Sequence, residues 1–148
     1  MATYTAANAL KKISTGDESG TWGDSTNNNF DIIDRASNGF VSIALSATSY
    51  TLELSTTSVL SDGHYKAIKF TGTPSDTCTV TLQQNNKARI YMILNSTNQT
   101  LSITQGSGAN VTIVSGKSAI ILADGAGSSA AVTDFTSLIE TSELDVTA

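Results

Sequence analysis

From Phe40 to Ala123, apolar side chains return at every second residue, and this beat constrains the fold more than any other feature of the chain. Val41, Ile43 and Leu45 alternate with Ser42 and Ala44, Leu52 and Leu54 flank Glu53, and Ile68 and Phe70 flank Lys69. The beat continues at Cys78, Val80 and Leu82, at Ile90, Met92 and Leu94, at Leu101 and Ile103, at Val111 and Ile113, and at Ile121 and Ala123. A period of two puts successive side chains on opposite faces of a strand, so each run reads as a strand with one greasy face. Turn-forming clusters separate the runs, among them Ser61-Asp62-Gly63, Gln84-Asn85-Asn86-Lys87 and Asn95-Ser96-Thr97-Asn98. Their spacing predicts a mainly β chain, an antiparallel β-sandwich or barrel-like domain of about eight strands joined as a meander of hairpins. Ser and Thr make up roughly a quarter of the chain and charged residues only 14%, so the outward positions are covered mostly by hydroxyls.

The flanks differ from this body. Residues 1–39 read as an N-terminal arm and a short helix, 40–133 as the β domain, and 134–148 as a tail or short helix. In the first part Asp24 or Ser25 is placed to cap the helix, and Phe30, Ile32, Ile33 and Ala36 fall on one side of it. Asn38-Gly39 is expected to close it through a left-handed glycine. In the last part Phe135, Leu138 and Ile139 have helical spacing behind a candidate Asp134 cap, followed by the acidic Glu140, Glu143 and Asp145.

Charge and motif content exclude several classes of function. A net charge of −5 with eight scattered basic residues offers no footprint for a phosphate backbone, so nucleic acid is not expected as a partner. One cysteine, Cys78, rules out an internal disulfide, and its place on the beat makes it a small buried apolar group. No apolar run approaches the roughly 20 residues that span a bilayer, and no basic-then-apolar leader is visible, so neither membrane insertion nor secretion is expected. His64 is the only histidine, follows a turn and has no nucleophile fixed beside it by local spacing. Asp17, Glu18 and Asp24 do not match a calcium loop, and the glycines at 20, 23, 106 and 108 lack the Lys-Ser/Thr of a phosphate cradle. The expectation is a chain with no catalytic residues, no metal and no cofactor.

What remains is a binding or structural role, centred on Trp22, the only tryptophan, held between glycines just before the helix. Large rings in such turns anchor one chain on another, and Trp22, Phe30, Ile33, Phe40 and Phe135 are the candidate docking or interface residues. The alternative use of such rings is stacking on sugars, for which Trp22, Tyr50, Tyr65 and Tyr91 are the candidates.

A family resemblance adds to this reading. Thr3-Tyr4-Thr5, Leu10-Lys11-Lys12, Gly20-Thr21-Trp22-Gly23, Asn27, Asn29-Phe30-Asp31-Ile32-Ile33-Asp34 and Ala36 resemble the N-terminal module of tail-fibre-like virion proteins of marine tailed bacteriophages. Phe70-Thr71-Gly72-Thr73-Pro74, the run from Ile90 to Thr100, Gly116-Lys117 and Ala123-Asp124-Gly125 extend the likeness over most of residues 3 to 125. The resemblance implies a virion structural protein made in the host cytoplasm. It would be carried on the tail or capsid surface, attached to other virion proteins by its N-terminal segment, and assembled with copies of itself as a trimer. A host-surface carbohydrate-binding module and a capsid or tail decoration protein are the alternatives it leaves open.

Overall fold

A computed structural model describes residues 1–139 of the chain, so the acidic Glu140, Glu143 and Asp145 lie outside the described residues. The N-terminal arm is a two-stranded antiparallel hairpin, β1 (Thr3–Tyr4) and β2 (Lys11–Lys12), followed by α1 (Trp22–Asn38). The body then runs through β3 (Phe40–Leu45), β4 (Ser49–Leu52), β5 (Ala67–Gly72), β6 (Cys78–Leu82), β7 (Arg89–Asn95), β8 (Leu101–Thr104), β9 (Val111–Ile113), β10 (Ser118–Ala123) and β11 (Val132–Asp134). A short α2 (Thr136–Ile139) follows. The chain is mainly β, as its alternation predicts.

The strand pairing is not that of a meander. One sheet has the order β11-β10-β7-β5-β3 and the other β4-β6-β8-β9. From β3 to β8 the chain crosses to the opposite sheet after every strand, so β3, β5 and β7 lie parallel in one sheet and β4, β6 and β8 parallel in the other. Three successive two-strand coils are thus stacked on one another. Only then does the direction reverse, with β9 antiparallel to β8, β10 to β7 and β11 to β10. The expected all-antiparallel arrangement is therefore corrected to a mixed one. A period of two specifies which face a side chain takes and carries no record of which neighbour its strand pairs with.

The inward side chains of both sheets form one core cluster, with Ile68, Phe70, Cys78, Val80, Ile93, Leu101, Ile103 and Ile121 almost wholly buried. Cys78 is a packing group, its thiol pKa pushed up by burial. Tyr50 closes one side of the core edge-on to Phe70, with ring centroids 6.0 Å apart. In β7 the phase differs from the expected beat. Tyr91, Ile93 and Asn95 point inward, and Ile90, Met92 and Leu94 point out. Both phases of that strand are apolar, so alternation alone selects no face for it.

Helix α1 also departs from expectation in its details. It starts at Trp22 behind Thr21, with no side-chain cap, so Asp24 and Ser25 sit inside the first turn; Asp24 still faces the positive end of the helix dipole there. Ser25 Oγ instead bonds Glu18, which also pairs with Lys11. Ile32 is the one apolar side chain that α1 buries, while Phe30 and Ile33 stay exposed. Gly39 ends the helix with φ −66°, not in the left-handed region. A side chain is excluded there by crowding, since a Cβ would lie 2.5 Å from Arg35 Cα and 2.6 Å from Arg35 O.

Candidate interaction surface

The two sheets turn chemically different faces to the outside. On the four-stranded sheet the outward positions are hydroxyls in register: Ser49, Thr79, Ser102 and Thr112 form one row, and Thr51, Thr81 and Thr104 the next. On the five-stranded sheet one row is apolar from end to end. Phe40 pairs with Ala67, Ala67 with Met92, and Met92 with Ile120. Neighbouring rows add Leu94 opposite Ser118 and Ile90 opposite Leu122. Phe40 is 60% exposed and Met92 47%, values that a core side chain never has. Phe40, Met92, Leu94 and Ile120, with Thr136 at the rim, line a shallow groove of about 330 Å3.

Of the five candidate docking residues, Phe40 lies on this face. Phe135 is half-buried beside it, its backbone N–H donating to Ile120 O at 2.8 Å, while Thr136 Oγ1 accepts from Ile120 N at 2.8 Å. Trp22, 62% exposed, and Phe30 and Ile33 are on α1, outside the groove. Sequence reasoning found Phe40 and missed Ile90, Met92, Leu94, Ile120 and Leu122. The available signal was the apolar character of both phases in β7 and β10, whereas β4, β6, β8 and β9 alternate with Ser or Thr.

The N-terminal arm is tied to this body by named contacts. Asn29 bridges to it from α1, accepting from Lys11 N at 2.8 Å and donating to Lys11 O at 2.9 Å. From the other side Arg89 Nη1 donates to Asn8 Oδ1 at 2.6 Å, Arg89 Nη2 donates to Ala7 O, and Lys87 Nζ donates to Ala6 O. Ala9 is buried beneath them.

The tyrosines named for sugar stacking are dispersed. Tyr50 is half-buried against Phe70, and Tyr65 has Arg35 over its ring at 4.5 Å, which covers one π-face. Tyr91 is buried with its hydroxyl donating to Gly63 O at 2.7 Å, so its ring presents no face to a solute. His64 is also buried, its Nδ1 3.1 Å from Ser61 Oγ, within a capping arrangement of the turn Asp62–His64. Comparison with protein-family models, curated proteins and solved structures finds no match to this chain.

Tyr91 makes the stability of the body sensitive to alkali. Burial, partly offset by Arg89, pushes its pKa up from 10.0 to about 12. Below pH 10 the phenol is protonated in both states and its contribution is complete. As pH rises from 10 towards 12 the unfolded chain ionises and the folded one resists, so stability falls across that window by about 2–3 kcal/mol. Urea titrations at stepped pH should show this fall, and Tyr91→Phe should remove most of it. An unchanged slope in the variant would assign the alkaline loss to other groups.

Proposed function

We propose that the chain is a structural component of a bacteriophage virion, tail-fibre-like, that assembles with copies of itself through the outer face of its five-stranded sheet. The observation that carries this reading is the in-register apolar row from Phe40 to Ile120 on the outer face of the five-stranded sheet, in contrast to the hydroxyl rows on the four-stranded one. Exposed contiguous apolar patches mark interaction sites, and water-filled contact with such a row is unfavourable by about 25 cal/mol per Å2. A standard-size interface buries about 800 Å2 per partner around an apolar centre with a polar rim. Phe40, Ile90, Met92 and Leu94 supply the centre, and Ser42, Lys69 and Ser118 the rim. A second copy is the occupant chosen because a virion fibre or decoration uses many copies of one chain, and three around a common axis would bring their apolar faces together.

In this reading the two sheets close on each other as a flattened sandwich, and residues 1–39 form the side that meets the particle, with Trp22 as its exposed ring. The location is the tail or capsid surface, reached by assembly after synthesis in the host cytoplasm. No helix among the described residues is long and apolar enough to cross a membrane. A carbohydrate-binding module stays as the second reading on the strength of Trp22 alone, since Tyr91 is enclosed and Tyr65 is already stacked by Arg35.

The test is the mass of the full chain in solution by light scattering across a concentration series. The wild type is expected to run as a multimer, with a trimer as the specific expectation. The double variant Phe40→Asp with Met92→Asp should fall to the mass of one chain, with its circular dichroism unchanged because neither side chain is in the core. A wild type that stays monomeric at the highest concentrations would end the self-assembly reading, and a variant that keeps the multimer would move the interface elsewhere.

A further inference from the structure

Helix α1 has three chemically distinct sides, set by the advance of about 100° per residue around its axis. Ser25, Ile32 and Ala36 fall on the first, and Ile32 is the side chain that buries against the body. Trp22, Phe30 and Ile33 fall together on the second with Thr26 between them, and they are 62%, 62% and 42% exposed. More apolar surface therefore faces solvent than faces the core. Asp24, Asp31 and Asp34 take the third side; all three are exposed, and the ion pair found among the described residues, Lys11 with Glu18, involves none of them. The one cation of α1 does not neutralise them either. Arg35 is turned to the body, its guanidinium 4.5 Å over the Tyr65 ring and donating from Nη1 to Ser61 O at 3.3 Å.

A surface helix ordinarily turns its apolar stripe to the core, so a stripe turned outward calls for cover from outside the chain. Charge decides among the occupants. A second copy of α1 would set Asp31 and Asp34 against their own equivalents in a chain of net charge −5. An anionic bilayer would repel the same carboxylates, and helices that lie on membranes carry Lys and Arg on the polar side, not Asp. An apolar ridge edged by cations matches both features at once, and the run from Trp22 to Ile33, about 16 Å along the axis, is the length of an ordinary helix-to-helix contact. We propose that the outer side of α1 docks a helix of a different protein, one whose apolar ridge is flanked by Lys or Arg. Trp22, Phe30 and Ile33 supply the apolar centre, and Asp31 and Asp34 the charged edge. This rests on the reading in which residues 1–39 meet the particle and adds the chemistry of what they meet.

Trp22 is the only tryptophan of the chain, so its emission reports on this stripe in the intact protein. Two helical peptides free of tryptophan serve as probes, sharing one Leu stripe and carrying Lys or Glu along its edges. The expected result is a saturable blue shift with the Lys peptide, weakened by added salt, and none with the Glu peptide. Asp31→Asn combined with Asp34→Asn should weaken Lys-peptide binding about fivefold, while Asp76→Asn, in the turn after β5, should leave it unchanged. Phe30→Ser combined with Ile33→Ser should weaken it about tenfold or more and keep the solution mass of the wild type, because neither side chain is in the core or on the five-stranded sheet. That mass separates the two ideas, since peptide binding by a monomer would end self-assembly alone. No saturable shift, equal shifts with both peptides, or equal effects of the Asp31/Asp34 and Asp76 variants would overturn the proposal. So would loss of the multimer in the Phe30/Ile33 variant, which would give the stripe to a second copy, or a larger shift with phosphatidylcholine vesicles, which would give it to lipid.

Discussion

Replacing Asn95 by Ala is expected to lower the stability of the chain by about 3–5 kcal/mol, an effect at the upper end for a single substitution. Asn95 is fully buried at the end of β7, and its side chain has every hydrogen-bonding site occupied. Nδ2 donates to Gln99 O and Ile113 O, both at 2.8 Å, while Oδ1 accepts from Thr97 N at 3.0 Å and Thr97 Oγ1 at 2.7 Å. The amide thus holds the corner between β7 and β8 and pins it to β9. Alanine would leave Thr97 N without its partner and take a donor from Ile113 O and from Gln99 O, in a space too closed for water to replace the amide freely, which is why the loss exceeds that of one ordinary hydrogen bond. Asn98 in the same corner is exposed and makes no side-chain hydrogen bond among the described residues, so Asn98→Ala should stay within about 0.5 kcal/mol of the wild type. Urea midpoints of the two variants, compared at unchanged m, check the pair. Equal midpoints would show that the corner is held by its backbone alone.

Asn95 also marks the limit of what the residue pattern discloses. The alternation from Phe40 to Ala123 predicts strands, and those strands are present, because a half-buried strand must place apolar groups at every second position. Reading Asn95-Ser96-Thr97-Asn98 as a turn placed the corner correctly, yet nothing in a polar tetrapeptide separates the one amide that is buried from the one that is solvated. Gln105 is similar. It is buried, its Nε2 donates to Lys87 O at 2.8 Å, and its Oε1 accepts from Gly125 N at 3.0 Å, partners 18 and 20 residues away. Such contacts depend on which coil stacks on which, information absent from local periodicity. The same absence explains the parallel pairing of β3, β5 and β7, and the reversed phase of β7, where Ile90, Met92 and Leu94 face out although they keep the apolar beat. The outward apolar row became visible only once register aligned Phe40, Ala67, Met92 and Ile120, whose neighbours in the row are two or three connections apart in the chain.

Gly72→Ala is expected to be as damaging as the loss of Asn95, through the backbone and not through a lost bond. Gly72 closes β5 with φ +101°, in the half of conformational space that an L side chain rarely adopts, which costs roughly 1–2 kcal/mol for alanine. Space is lacking as well. A Cβ at Gly72 would lie 2.2 Å from Leu45 O and 2.9 Å from Leu45 N, the backbone of its own register partner in β3. Backbone inside a ladder cannot move aside like a side chain, so β3 must shift from β5, adding about 1–3 kcal/mol of overpacking. Gly116 isolates the first contribution. It has φ +78° with open space around the missing Cβ, so Gly116→Ala should cost only the conformational part, about 1–2 kcal/mol. The comparison reaches function through Phe40, which opens β3 and stands at the end of the apolar row. A displaced β3 misaligns that row, so Gly72→Ala should weaken self-association as well as lower the urea midpoint, and Gly116→Ala should leave the multimer intact. Faster amide exchange confined at first to β3 would be the signature of the displacement. If the two alanine variants proved equally stable, the Leu45 backbone would have yielded at little cost, and the argument for a rigid first coil beneath the interface would fail.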